Sequence, residues 1–331
     1  MIGKIFCFGE LLLRMSPVPG GKWIQDAMMP VYVGGAELNV ASALAKWGIP
    51  VRYCTALPDN YLSKEIIEEL QSKHIDTSAI NISGNRIGTF YLPQGADLKS
   101  AGVIYDRAYS SFAELKPGMI NWDESLKDCN WFHFSAISPA LNQNIEAVCK
   151  EALEAASAKG LMISVDLNYR PKLWQYGKKP IDVMPELANY CDVIMGNLWA
   201  AEILLGIVSP VKESSGKTKD ELADASGKSM LQIHNKYPKV ISMAYTFRLE
   251  KEYWAVMQHG QERAISEEYA VMNVIDKAGS GDCFMGGLIY GLYNKHKVQD
   301  IVNFAAAAAA GKLQEKGDST QQTIEQIKSR L

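Results

Sequence analysis

The 331-residue chain has no excess of either charge: 34 Lys and Arg face 37 Asp and Glu, a formal net charge of −3 at pH 7. Both signs are mixed throughout, which leaves no basic face for nucleic acid or an anionic membrane, and neither partner is expected. Histidine is scarce. The five, at 74, 133, 234, 259 and 296, show no metal-ligand spacing, and His133 alternates within an apolar run as a core residue does. Six cysteines, at 7, 54, 129, 149, 191 and 283, form no Cys-x-x-Cys pair and read as buried thiols of a reducing compartment. Long apolar runs are missing. The stretch Ala305 to Ala310 is too short and too weakly hydrophobic to span a bilayer, and Lys4-Ile5-Phe6-Cys7-Phe8-Gly9 follows no basic, then apolar leader, so a cytoplasmic protein is expected. Two common phosphate motifs also fail. A Gly-x-Gly-x-x-Gly starting at Gly279 ends on Phe284, and Gly216-Lys217-Thr218 lacks the P-loop glycine because position 211 is Val. That triplet lies in a polar run, Lys212 to Asp224, which reads as a solvated loop or a helix start. Neither a Ser-His-Asp nor a nucleic-acid signature is present.

A 47% hydrophobic content is enough for a sizeable core. Strand-like runs alternate with helical ones: Lys4–Phe8, a helix from about Ala36 to Trp47, Val51–Ala56, and a helix from about Ser63 to His74. The rhythm resumes with Trp131–Ser135, a helix from about Gln143 to Lys159 closed by Gly160, then Leu161–Asp166, Asp192–Met195 and Lys239–Tyr245. Helices follow from Asp282 to about Lys295 and from about Val298 to Gln314. This order predicts an α/β fold, a doubly wound and mainly parallel sheet over a single domain of residues 1–331, with ligands beyond the strand ends. Two segments break the rhythm, about 11–33 and 86–108, where apolar and polar residues alternate among turn residues such as Pro17, Gly20 and Gly21. They read as antiparallel strands of a small projecting β-sheet, a candidate lid or partner surface through which a homo-oligomer would form. The alanine run at 305–310 suits close helix packing or a nucleotide-facing role equally.

The most informative stretch is Asn273-Val274-Ile275-Asp276-Lys277-Ala278-Gly279-Ser280-Gly281-Asp282, followed by the helix-like Cys283 to Leu292. It reads as strand, glycine turn and helix. Gly279 and Gly281 let successive N–H groups turn to one point, where the unpaired amides of a new helix also point, and so form an anion cradle. Asp282 in the first turn would repel a bound phosphate unless it served chemistry on a neighbouring hydroxyl, and a phosphate donor beside a base suggests a kinase. A plain structural reading also fits, since glycine turns open helices and the helix dipole favours Asp in a first turn. Near the N-terminus Gly34-Gly35-Ala36-Glu37-Leu38-Asn39-Val40-Ala41 repeats the cradle logic, with paired glycines before a helix.

Together these two stretches resemble the signature regions of the ribokinase-like (PfkB) carbohydrate kinases, a resemblance that covers essentially the whole chain. Three more narrow it: Tyr91-Leu92-Pro93-Gln94-Gly95-Ala96, Val103-Ile104-Tyr105-Asp106-Arg107, and Asp166-Leu167-Asn168-Tyr169-Arg170-Pro171-Lys172-Leu173-Trp174 are similar to 2-keto-3-deoxygluconate kinases. The resemblance implies ATP-dependent phosphorylation, with Mg²⁺, of the primary hydroxyl of a sugar acid. In that picture Gly34, Gly35 and Asn39 approach the sugar acid, Tyr91, Tyr105 and Arg107 close over it, Arg170 comes from the main body, and Asp318 reaches it from the C-terminal region. Arginines suit a substrate carboxylate, which a guanidinium fork binds bidentately; a salt bridge at a strand end is the alternative for each. For the tyrosines the alternative is cross-strand packing, and for Asp318 a solvated helix-end carboxylate.

The resemblance further implies that Asp282 is the general base, that amides of Gly279, Ser280 and Gly281 stabilise the transferring phosphoryl group, and that Lys277 adds a cation where the family more often has Thr. Asn168, Asn197, Thr246, Arg248, Asn303 and Ala306 are implied on the nucleotide side. One departure stands out. In the family the Asn at 197 is followed three residues later by a Glu associated with magnesium and phosphate, yet position 200 is Ala and Glu202 is out of step. A fructokinase or other sugar kinase of the same fold is the nearest alternative, and a non-catalytic sugar-acid sensor is the alternative from another class.

Overall fold

A computed structural model describes residues 3–17, 23–93 and 102–331. Gly20, Gly21 and Gln94 to Ala96 lie outside the described residues. Among the described residues a ten-stranded sheet dominates. Its central strands, Lys4–Phe8, Val51–Cys54, Cys129–Ser135, Met162–Asp166, Val193–Gly196 and Ser242–Arg248, are all parallel, and Ile75–Asp76 extends the run beside Val51–Cys54. Beyond Ser242–Arg248 the sheet turns antiparallel through Glu252–His259 and Glu262–Ile265.

Both faces are covered, because successive residues of a parallel strand point to opposite sides and each side needs apolar partners. On strand Lys4–Phe8, Phe6 and Phe8 enter a core with helices Gln143–Ala158, Pro180–Ala188, Leu198–Leu205 and Lys219–Lys236. Ile5 and Cys7 enter the other, with helices Ala36–Lys46, Ser280–Tyr293 and Val298–Lys312. The alanine run lies in that second core, with Ala305 to Ala309 fully buried. His133 is buried too, its pKa lowered to about 3 by desolvation while Nδ1 contacts Ser164 Oγ at 3.0 Å. All six cysteines are free and five are buried, Cys129 being partly exposed.

A separate four-stranded sheet runs in the order Val31–Gly34, Leu12–Met15, Gly88–Tyr91, Ile104–Asp106. The expected antiparallel pairing holds only for its outer pairs; Leu12–Met15 and Gly88–Tyr91 are parallel. Both inner strands start from the main body, Leu12 opposite Gly88, and the βα units between them serve as the long crossover that a parallel pair requires.

Other differences have local causes. The strand expected before Gly279 is absent, because the amides of Ile275 and Asp276 both donate to Leu313 O at the end of helix Val298–Lys312 instead of to a neighbouring strand. The Lys212 to Asp224 run is a loop as far as Thr218 and a helix from Lys219, where Thr218 and Glu221 form a reciprocal capping box at the head of Lys219–Lys236. No described helix is long and apolar enough to cross a membrane.

Candidate active site

A cavity of about 440 Å³ lies beyond the carboxyl ends of the parallel strands and is roofed by the smaller sheet. Asp166 ends one strand, Asn197 follows the next, and Thr246 with Arg248 closes a third, all at its wall. Leu12, Phe90 and Tyr105 come from the smaller sheet.

At the cavity floor Gly279, with φ 76°, is the N-cap of helix Ser280–Tyr293, and no side chain caps that end. The first bond of the helix runs from Cys283 N to Gly279 O at 2.8 Å, so the amides of Ser280, Gly281 and Asp282 have no intrahelical partner. Ser280 turns its hydroxyl away to donate to Ala309 O at 3.2 Å. Beside Gly281 a Cβ would meet nothing within 4 Å, which leaves the backbone open to the cavity. An uncapped helix terminus with approachable amides is suited to an anion.

Asp282 stands in that first turn and is 8% exposed. Asn39 Nδ2, from helix Ala36–Lys46, donates to its Oδ2 at 2.7 Å, and Ser319 Oγ donates to Asn39 Oδ1 at 3.1 Å. Burial pushes the Asp282 carboxyl up to about 6, against the Asn39 hydrogen bond and the Arg170 charge. Asp166 is pushed further, to about 8, by burial and then by the Asp282 charge. Two carboxyls with such different pKa values divide at neutral pH into an ionised acceptor and a protonated neighbour.

Arg170 lines the same cavity, and among the described residues no hydrogen bond or ion pair engages its guanidinium. Arg107 lines it as well but already has a carboxylate: Nε and Nη2 both lie 2.6 Å from Glu10 Oε2, while Ser110 Oγ donates to Glu10 Oε1 at 2.5 Å. Arg107 thus forms a salt bridge, but a buried one and not a surface pair, and it still lines the cavity.

Asp318 is no solvated helix-end residue. It is 5% exposed and lines the cavity, and burial pushes its carboxyl up to about 7. Two glycines make room for it: a Cβ on Gly34 would lie 2.4 Å from Asp318 Oδ2, and one on Gly279 would lie 1.7 Å from Asp318 O. Gly34 thus does not line the cavity itself, whereas Gly35 does.

Of the other residues singled out, Asn39, Asn168, Asn197, Thr246, Arg248 and Lys277 all reach the cavity wall. Three do not. Tyr91 follows Phe90 on one strand, and the alternation that turns Phe90 inward puts Tyr91 on the opposite side. Asn303 is used structurally, its Oδ1 accepting from Glu267 N at 3.1 Å and from Gln299 Nε2 at 3.1 Å. Ala306 is fully buried in the helix core and cannot face a nucleotide. Ala200 is at the wall, Glu202 is exposed on the same helix, and Asn197 Oδ1 caps that helix by accepting from Ala200 N at 2.9 Å. Glu202 therefore does not replace the missing carboxylate.

Residue-level reading missed Glu10, Glu37, Phe90 and Asp166 as wall residues. Glu37 follows the paired glycines directly, and its Oε1 accepts from Ser135 N at 2.9 Å and Ser135 Oγ at 2.6 Å. Only a partner 98 residues away distinguishes it from an ordinary first-turn acid.

A family model described as pfkB family carbohydrate kinase matches residues 3–325. The chain belongs to that family. It is 26% identical to a 2-dehydro-3-deoxygalactonokinase of Haloferax volcanii over 99% of this chain and 96% of the relative. With a 2-dehydro-3-deoxygluconokinase of Bacillus subtilis it shares 26% identity, over 94% of this chain and 90% of that one. The crystal structure of a 2-dehydro-3-deoxygluconokinase from Thermotoga maritima superposes with a TM-score of 0.88 at 32% identity, covering 99% of both chains. The chain is accordingly a carbohydrate kinase, with a mixed α/β fold shared with the Thermotoga maritima structure.

Proposed function

We propose that this kinase transfers the γ-phosphoryl group of ATP to the primary hydroxyl of 2-keto-3-deoxygluconate, giving the 6-phosphate. The observation that carries the reading is the meeting, in one cavity, of an uncapped helix terminus, a buried carboxylate beside it and the unengaged Arg170 guanidinium. An anion site and a base suit phosphoryl transfer to an alcohol. The guanidinium adds a preference for an acceptor that carries a carboxylate, and all three relatives named above carry keto-deoxy sugar acids in their names.

In this account Asp282 accepts the hydroxyl proton as the substrate oxygen attacks the γ-phosphorus. The bond from that phosphorus to the β,γ-bridging oxygen breaks, ADP leaves with the electron pair, and the proton on Asp282 passes to solvent. A pKa of about 6 keeps Asp282 ionised at pH 7 yet basic enough to share the proton in the transition state. The amides of Ser280 and Gly281, with Gly279 shaping their turn, face the charge on the transferring oxygens, and Lys277 stands at the same wall. Among the described residues no three His, Cys, Asp or Glu side chains converge on a metal-sized point. Mg²⁺ usually keeps several waters and is bound through substrate phosphates with one or two carboxylates; of the wall carboxyls, Glu10 is engaged by Arg107, Glu37 by Ser135 and Asp318 by Arg14, so Asp282 and, on losing its proton, Asp166 would be the ones to hold the ion. When bound, the ion neutralises charge on the phosphate oxygens.

Identifying the product tests the site of transfer. Phosphorus NMR of the reaction with 2-keto-3-deoxygluconate should show a single phosphomonoester coupled to the two protons of a terminal CH₂. A resonance coupled to one CH proton would place transfer on a secondary hydroxyl and refute the assignment.

A further inference from the structure

A buried ionic cluster of Arg14, Asp276 and Asp318 lies against the cavity. Arg14, on strand Leu12–Met15 of the smaller sheet, is fully buried. Its Nη1 donates to Asp276 Oδ1 at 3.1 Å and its Nη2 to Asp276 Oδ2 at 2.5 Å, while its Nε lies 2.8 Å from Asp318 Oδ1 as an ion-pair contact without hydrogen-bond alignment. The ring of Tyr32, its cross-strand partner, covers one guanidinium face with its centroid 4.6 Å from Cζ. Each carboxylate leads to a different part of the site. Asp276 Oδ1 also accepts from Ala278 N at 3.1 Å, so it pins the backbone just before Gly279. Asp318 lines the cavity, and its own carbonyl is seated against Gly279. Behind them the buried Lys312 donates from Nζ to Gly317 O at 2.8 Å and holds the segment that carries Asp318.

Burying such a cluster is a poor route to stability, because desolvation offsets most of the attraction and apolar residues of like volume often do as well. Geometry is the more economical reason for it. A bidentate fork on one carboxylate and an Nε contact on another fix two acidic side chains relative to each other as a single lysine charge would not. We infer that Arg14 is a positioning residue for both halves of the site, holding Asp318 at the sugar-acid wall and, through Asp276, setting the turn that presents the anion-binding amides. This rests on the reaction proposed above for the sugar half alone; the nucleotide half needs only the kinase fold.

The two arms predict different kinetic signatures. Asp276→Asn, which keeps Arg14 on Asp318, should raise KM for ATP about tenfold or more and lower kcat, with the sugar-acid KM changed less than threefold. Asp318→Asn should do the reverse, raising the sugar-acid KM and sparing that for ATP. Arg14→Gln should raise both, and Arg14→Lys should recover less than half of the loss in either, because an ammonium cannot span the two carboxylates. Thermal unfolding of each variant is followed alongside; if Arg14→Gln does not fold, the two aspartate variants still read the arms separately. A merely structural role would lower the unfolding temperature and leave both KM values within twofold of wild type, and that result overturns the inference. If wild type prefers another sugar, the same split is read with that sugar. If it turns over none, titration with ATP still reads the Asp276 arm, and unchanged affinity in Asp276→Asn overturns the inference there too.

Discussion

At the scale of single residues the account turns on Asp282 and Arg170. Replacing the base by Asp282→Asn should lower kcat by about 10²–10⁴-fold while the KM values move only a few-fold, read by steady-state kinetics at saturating ATP. The same carboxyl sets an acid limb. With its pKa raised to about 6, the ionised form is lost as pH falls through that value, so kcat/KM should drop about tenfold per pH unit well below it. A limb near pH 4 would show that some other group, or an unshifted carboxyl, limits the rate. Arg170→Met removes a guanidinium that makes no hydrogen bond or ion pair among the described residues but whose charge holds the Asp282 and Asp166 carboxyls down, so its cost should fall mainly on the ligand while the acid limb set by Asp282 moves to higher pH. Losing hydrogen bonds to a charged group is worth about 1.5–3 kcal/mol, which raises the sugar-acid KM roughly ten- to hundredfold with little change in the unfolding temperature. Neutral sugars should respond far less.

At the scale of elements, the segment that carries Asp318 and the turn that carries Gly279 are built around each other. Gly279 needs its hydrogen twice: φ is 76°, and a Cβ would meet Asp318 O at 1.7 Å. Gly279→Ala should therefore destabilise the fold by about 1–3 kcal/mol from the left-handed backbone alone, with the collision added, and should impair the sugar side as well as the phosphate side, measured by denaturant unfolding and by both KM values. This contact explains what could be read from sequence and what could not. The glycine turn, the helix after it and Asp282 within its first turn were legible because each signal is local. Asp318 was not, since nothing near Gly317-Asp318-Ser319 says that two glycines 284 and 39 positions earlier leave a space for it. The same limit applies to Arg14 and Glu10, whose partners lie 262 and 97 positions away. Tyr91 shows a finer failure: the segment from 86 to about 108 was read as strand-forming, but its alternation has no phase until the roof is seen, and Phe90 is the residue that faces in. Asn303 was carried by resemblance alone and Ala306 by resemblance and one of two readings of its alanine run, and the helix that bears them turns both away from the cavity.

At the scale of the whole molecule the parallel sheet with two cores provides a stiff base on whose strand ends several unfavourable charges can be gathered. Asp166, Asp318 and Asp282, with carboxyls pushed up to about 8, 7 and 6 from a usual 3.8, bind protons more tightly in the folded chain than in the unfolded one. Their contribution to stability is fully present below pH 3.8 and is lost as pH rises through 6 to 8. Asp166→Asn should accordingly flatten the decline of unfolding temperature with pH and unfold about 2–4 °C higher than wild type at pH 8. An unchanged slope would mean that Asp166 titrates as an ordinary surface acid. The βα order, the main strands and the existence of a second sheet were visible in the pattern of apolar runs, whereas the parallel pairing at the centre of that sheet depends on where two distant strands leave the body. The most direct test of the account as a whole is ADP release from ATP and Mg²⁺ by the purified protein, with 2-keto-3-deoxygluconate, its galactonate epimer, gluconate, fructose and ribose compared under one set of conditions. Turnover with the keto-deoxy acids that exceeds the neutral sugars by at least about a hundredfold in kcat/KM, and that Asp282→Asn lowers by about 10²–10⁴-fold while binding persists, is the predicted result. Equal or better turnover of fructose or ribose would contradict it, as would sugar-acid binding with no ADP release at all.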